Sequence, residues 1–405
     1  MQQTSRAVLV TASVLAAACS TGSDENLGVT RDTLPNGAVS IHYAALPDNS
    51  IDSLTPNLTI GAVDGEPHEI FGDIRGVAID AGGDIYILDY QAAEVRAFNS
   101  AGSYLRTLTR KGRGPGELEE ANGMLLSSDG TLWIQDHAQW AVIGIGLDGT
   151  EVTRFSMPLR MYGYLWDAAL DSQGNFVQPR SHTDQAPVFP PAMGVHEGSN
   201  RRYMMRFNSS GELLDSMLVG DAPYRSHVAR TRGGGYSARQ VPMFPRALAI
   251  PDPAGGFWAT DAASYTVVRV NSQGDTTLLL EADVQAEPVT SADRDLVVNA
   301  GLENEPDARA SLEELVSVMP AVKPVLDQLV LDDKGNLWVR RFVEQGTSPR
   351  YDIFTSNGEY LRSVILAFDA ASYFVPTIVD GSVYGLALDT NDVPAVFRAA
   401  VPNLP

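Results

Sequence analysis

The chain has 405 residues, 44% of them apolar and 20% charged, which is apolar material enough for a large core and excludes a disordered chain. Its 29 Lys and Arg against 50 Asp and Glu give a formal charge of -21, and such a surface repels a nucleic-acid backbone. No nucleic-acid partner is expected, and acidity by itself names no other ligand.

The N-terminus reads as an export signal. Arg6 supplies positive charge, and residues 7–18 ("AVLVTASVLAAA") form an apolar run too short to anchor in a bilayer. The run ends at Cys19, the only cysteine. The segment resembles a bacterial lipoprotein signal, which implies that Cys19 is lipidated and becomes the new N-terminus. Ala16 stands where that signal usually has Leu, so ordinary cleavage after Ala18 is the competing reading. Ser20 follows the cysteine, and the resemblance implies an address in the cell envelope, at the outer membrane or in the periplasm. A lipid anchor is then the sole membrane contact. Residues 20–53 are expected to be a flexible tether.

From residue 54 onward the chain repeats. Six segments begin on a turn glycine and continue as an apolar, aromatic run: "GDIYILD" from Gly83, "GTLWIQD" from Gly130, "GNFVQPR" from Gly174, "GGFWATD" from Gly255, "GNLWVRR" from Gly335 and "GSVYGLA" from Gly381. A strand-like run precedes each glycine, and a second turn follows, such as "NSAG" at 99–102 and "NSQG" at 271–274. The unit is four antiparallel strands with two tight hairpins, and its repetition predicts an all-β, six-bladed β-propeller of four-stranded blades. The last unit is one strand short, and residues 57–62 ("NLTIGA") have the character of the strand that would close it. The turn pattern, the "GRGPGEL" connector and the signal segment together resemble the bacterial six-bladed β-propeller lipoproteins, which are similar to NHL-repeat propellers. The resemblance covers roughly residues 54–401; it implies a fold and leaves activity open, because such propellers act as binders, scaffolds and enzymes.

Strand order puts every long insertion on one face. These are residues 181–202, 220–245 and 284–322, and clustered insertions mark the binding side of a repeat protein. Within 284–322, Thr290 or Ser291 is an N-cap, and Leu312, Leu315, Val316 and Met319 recur at helical spacing, so two short helices are expected. They form either a structural lid or a mobile gate. The 220–245 segment carries Arg225, His227, Arg230, Arg232 and Arg239, which either hold an anion or neutralise a neighbouring acidic rim. The run "RKGRGPGEL" at 110–118 lacks the spacing and helix of a phosphate-binding loop and reads as a connector between blades.

Repeat alignment places Arg75, Asn122, Trp166, Arg246, Asp327 and Tyr373 around the mouth of the central channel, as candidate ligand-binding residues. Arg113, Arg180 and Arg341 are candidates on the rim of the same face. Arg180 and Arg341 stand where Asp89, Asp136 and Asp261 occur in other repeats, and those aspartates read as acceptors for turn amides. No cofactor and no metal site is expected, since no ligand set has telling spacing. The functional expectation is a monomeric, non-catalytic propeller that binds an unidentified ligand, such as a peptide, a glycan or an anionic small molecule, or an envelope protein. The alternative is a metal-assisted hydrolase or lyase of the lactonase or amidating-lyase type at the channel mouth, drawing on Asn122, Asp327, His137 and His182.

Overall fold

In the computed structural model, which describes residues 28–402 apart from 48–50, 183–188, 232, 344–346, 369, 390 and 392, the glycine turns of the repeat close in one recurring way. Asp80 Oδ1 accepts the amides of Gly82 (2.8 Å) and Asp84 (2.9 Å), and the Gly83 amide donates to the Asp80 carbonyl (3.0 Å). Gly83 follows at φ +84°, the left-handed conformation that lets the hairpin absorb one extra residue. Asp171, Asp252 and Asp332 open the same turn further on, and Asn99, Asn208 and Asn271 open second hairpins. The side-chain acceptor three residues before each glycine satisfies amides that the strand ladder cannot reach. Cys19 and the signal segment lie outside the described residues.

Among the described residues these hairpins build six sheets of four or more strands, numbered here in chain order: sheet 1 over residues 74–107, sheet 2 over 121–156, sheet 3 over 169–240, sheet 4 over 248–282, sheet 5 over 326–366 and sheet 6 over 377–400. Apolar clusters lie between sheets 1 and 2, 2 and 3, 3 and 4, 4 and 5, 5 and 6, and between 6 and 1. Because both faces of a sheet are covered, second strands such as Ile85–Asp89 and Thr131–Asp136 are buried throughout, with no exposed face. Outer strands such as Tyr104–Thr107 are largely exposed. The first strands of all six sheets line one cavity of ≈ 830 Å³, the radial arrangement of a β-propeller.

The N-terminal segment departs from the tether expectation. Val29–Thr33 and Val39–Tyr43 form a hairpin, and the latter strand pairs in parallel with Thr276–Ala282 on the outer edge of sheet 4. Ile51–Leu54 pairs in parallel with Tyr360–Leu366 of sheet 5, and Leu58–Ile60 pairs antiparallel with Pro394–Ala400 of sheet 6. Tyr43, 1% exposed, donates its hydroxyl to the Gly358 carbonyl at 2.8 Å. Polar composition hid the three strands within residues 29–54, because edge strands bury one face only and need few apolar residues, whereas Leu58–Ile60 falls within the 57–62 segment expected to join the last sheet.

Two of the three insertions differ from the loops expected. Gly194–Phe207 and Leu213–Arg230 continue sheet 3 as a long antiparallel arm, with Arg201 opposite Asp221, and Tyr236–Gln240 adds a third strand. Residues 194–202 and 220–230 therefore pair with each other, and only tertiary pairing could reveal that. The helices occur as expected, α1 at Ser291–Asn304 and α2 at Arg309–Ser317, with Thr290 in a reciprocal capping box with Asp293. They pack through Leu312, Leu315 and Val316 on Val241 and Val289. Arg225 pairs with Glu197 (2.7 Å) and donates to the Val318 carbonyl, and Arg239 pairs with Glu305 (2.6 Å). These arginines tie the arm and helices together; Arg232 lies outside the described residues.

Candidate ligand site on the insertion face

Three first strands enter the channel through β-bulges. The pairing register shifts between Ile74 and Gly76, between Ala121 and Met124, and between Leu326 and Gln328. A bulge turns a side chain out of the strand alternation, and the bulged residues include Arg75, Asn122 and Asp327. The bulges explain why polar residues are tolerated at these positions.

Each is held by a partner. Arg75 forms a bidentate pair with Asp73 (2.8 and 2.6 Å) and donates to Asn122 Oδ1 at 3.3 Å. Asp327 accepts from Arg340 Nε at 2.5 Å and from the Val343 amide at 3.3 Å. Burial pushes the Asp327 carboxyl up, with Arg340, that amide and nearby Arg246 pulling it back. Of the six residues expected at the channel mouth, Arg75 and Trp166 line the cavity, whereas Asn122, Arg246, Asp327 and Tyr373 are not among its lining residues. At its other end the cavity meets the hairpin turns, including Asp80, Asp129 and Asp332.

The connector from sheet 2 to sheet 3 lies across the mouth. Trp166 donates Nε1 to the Arg75 carbonyl (3.2 Å), and Leu165 is seated against Gly123, whose added Cβ would stand 2.9 Å from the Leu165 Cβ. Both Gly123 (φ +137°) and Gly163 (φ +136°) hold backbone conformations closed to other residues. Around them the connector presents rings. Tyr162 is stacked on His137 (4.5 Å) and on Trp140 (5.2 Å), and Tyr164 on Trp166 (4.5 Å). Arg75 lies over the Tyr90 ring at 5.1 Å and the Tyr164 ring at 5.9 Å. Trp140, Tyr162 and Tyr164 are 44%, 47% and 49% exposed. For Tyr162, Tyr164 and Trp166 the signal in the sequence was the aromatic density of "MYGYLW" at 161–166, in a connector that the repeat does not require to be aromatic.

Beneath this connector lies an arginine cluster. Arg180 donates to the carbonyls of Met161 (2.9 Å) and Pro179 (3.0 Å) and to Gln178 Oε1 (2.6 Å), and meets no carboxylate at ion-pair distance among the described residues. Burial pushes its guanidinium down to about 10, with Asp167 opposing and Arg202 reinforcing the shift. Arg202 reaches Asp167 at 3.7 Å; burial lowers it too, and Arg246 adds like-charge repulsion. The Nε atoms of Arg180 and Arg202 are buried without a hydrogen-bond partner. Arg180 and Arg202 thus share the Asp167 carboxylate, which also lines the cavity, while Arg246 adds positive charge beside Arg202 and also acts on Asp327.

The remaining candidates have structural partners. Arg113 pairs with Glu119 at 2.7 Å and Arg110 with Glu117 at 2.8 Å, and Glu117 also accepts the Gly114 amide, so the connector at 110–118 is closed on itself. Arg341 donates to Asp352 at 2.8 Å. Asp89 accepts the amides of Gly72 (3.1 Å) and Gln91 (3.1 Å), and Asp136 those of Glu119 (2.6 Å) and Gln139 (2.9 Å), which is the turn-anchoring role expected of them. Among the described residues no three His, Cys, Asp or Glu side chains converge as a metal site would require, and no helix is long and apolar enough to cross a membrane.

No family model matches the chain, and no curated protein matches it. Solved structures with some likeness include a Bacteroides fragilis NCTC 9343 protein described as exported, 12% identical with TM-score 0.45 over 87% of this chain and 100% of that one. A virginiamycin B lyase from Staphylococcus aureus is 12% identical with TM-score 0.40, over 81% of this chain and 94% of that one. The calcium-binding protein regucalcin from Agrobacterium tumefaciens str. C58 is 12% identical with TM-score 0.34, over 88% of this chain and 99% of that one. At these scores the likenesses carry no argument about chemistry, which rests on the geometry above.

Proposed function

We propose that the chain is an envelope-anchored, extracytoplasmic, six-bladed propeller that binds an anionic ligand on its insertion face without converting it. The single observation behind the binding reading is that Arg180 and Arg202, buried with unpartnered Nε atoms, have only the Asp167 carboxylate between them in a protein of formal charge -21, with exposed Arg246 adding positive charge beside them. Desolvated guanidiniums with unspent donors gain most from a carboxylate or phosphate, which supplies paired acceptors in matching geometry. The reading of six blades in a closed ring is supported by the succession of apolar interfaces that returns from sheet 6 to sheet 1, and by the pairing of Leu58–Ile60 with sheet 6. Against a metal-assisted reaction at the mouth stands the engagement of the best candidate ligands: Asn122 with Arg75, and Asp327 with Arg340.

Titration calorimetry with citrate tests the binding reading. The wild-type protein is expected to bind citrate with an affinity that falls as salt rises. Arg246→Gln, at an exposed position, and Arg202→Gln are expected to weaken it at least tenfold while the melting temperature holds. Citrate binding that survives both substitutions would sink the proposal.

A further inference from the structure

We propose that the rings around the channel mouth are a sugar-stacking platform, and that the ligand is an acidic oligosaccharide: a chain of pyranose rings bearing carboxylates. This rests on the anion-binding reading above and names its substrate class.

The first argument is a strained aromatic. Trp140, the residue immediately before the third strand of sheet 2, has φ +53°, a left-handed conformation that a bulky side chain rarely adopts. In sheet 1 the residue at the same place is Ala93, also left-handed at φ +56° but completely buried. In sheet 4 the residue before the third strand, Tyr265, is likewise buried, and sheet 2 instead turns a tryptophan outward to 44% exposure. Neither the strand ladder nor the core gains from that choice. Its packing return is the stack on the half-exposed Tyr162 ring (5.2 Å), which leaves the pair as an aromatic surface facing solvent.

The second argument is how the connector spends its backbone. The carbonyl of Leu159 accepts from Tyr162, that of Met161 from Gln135 and Arg180, that of Gly163 from His137, and that of Leu165 from Ala168. An extended peptide binds largely by pairing with free backbone groups at a strand edge, and this connector offers few. Recognition falls to side chains, which here are ring faces and guanidiniums. Small aromatic acids would be taken into an enclosed pocket. A row of half-exposed rings open to solvent suits a ligand that runs along a surface, its C–H faces lying on Trp140 and Tyr164. Arg246, exposed beside Arg202, supplies a cation that a carboxylate on such a chain could reach.

The experiment titrates the full chain with four probes, following tryptophan fluorescence and heat: a hexameric oligogalacturonate, a neutral cellohexaose, citrate and poly-glutamate. The proposal expects oligogalacturonate to bind at least tenfold more tightly than the other three, with a change in tryptophan emission. Trp140→Ala and Tyr164→Ala are each expected to weaken it at least tenfold while citrate binding and melting temperature stay as in wild type. Citrate binding with no preference for oligogalacturonate, or oligogalacturonate binding indifferent to Trp140→Ala and Tyr164→Ala, overturns the platform and leaves the anion site standing. Equal binding of cellohexaose overturns the acidic requirement and the anion reading with it. Poly-glutamate binding as tight as oligogalacturonate overturns the sugar assignment in favour of an acidic peptide. Failure of all four probes overturns both readings.

Discussion

Replacing Asp352 by alanine tests whether Arg341 is a ligand residue or part of the frame. Asp352 is fully buried in sheet 5 and accepts from Arg341 Nε (2.8 Å), the Tyr265 hydroxyl (3.0 Å) and the Ser363 hydroxyl, with Arg350 Nε at 3.4 Å. Tyr265 comes from sheet 4, so this carboxylate also joins two sheets. Its phenol is pushed well above the ordinary tyrosine range, first by burial and then by the Asp352 charge, and stays a donor at any working pH. Removing the carboxylate leaves two guanidiniums close together without their shared counter-charge. Breaking a buried ion pair from one side costs ~3–5 kcal/mol, and the lost hydroxyl bonds keep the expectation in the upper half of that range. Asp352→Asn retains the volume and one acceptor oxygen and should cost clearly less. Urea denaturation followed by tryptophan fluorescence reads both, with the midpoint falling in proportion to the loss at constant slope. A loss below ~1 kcal/mol for Asp352→Ala would refute the structural reading and return Arg341 to the ligand candidates.

Gly123→Ala places a Cβ 2.9 Å from the Leu165 Cβ at φ +137°, so it should destabilise the protein by ~1–3 kcal/mol and displace the aromatic connector, measured as a lower melting temperature with weaker oligogalacturonate binding. His137 is held neutral: Nδ1 faces Asn122 Nδ2 at 3.5 Å and Nε2 faces the Gly163 carbonyl at 3.3 Å, and burial lowers its pKa from 6.5. Because the folded pKa lies below the unfolded one, the unfolded chain binds more protons between them, so the stabilisation is complete above 6.5 and is lost as pH falls below it. Melting temperatures across pH should therefore fall more steeply on the acid side for wild type than for His137→Gln; parallel curves would contradict this. Deleting residues 51–62 uncovers the edges of sheets 5 and 6 and should cause association on size exclusion, and a monomer of unchanged melting temperature would speak against ring closure.

Much of the architecture was legible in the amino-acid order because a propeller is local. Each hairpin is specified within a few residues by an acceptor side chain and a left-handed glycine, as at Asp80 and Gly83, and recurrence of that signal gave the sheets and their order. Capping did the same for α1, where Thr290 and Asp293 are three residues apart. What escaped was decided between segments far apart in the chain. The pairing of Val39–Tyr43 with sheet 4, and of the two halves of the long arm, depends on edges that exist only once the sheets have formed. The site divides in the same way. Repeat alignment put Arg75, Asn122 and Asp327 at the channel mouth, and of these only Arg75 lines the cavity; which cations were already paired was invisible: Arg341 meets Asp352, Arg113 meets Glu119, while Arg180 and Arg202 share Asp167. Charge in a sequence is only a count. Burial and distance turn it into an occupied or an unsatisfied site, and both are properties of the folded chain.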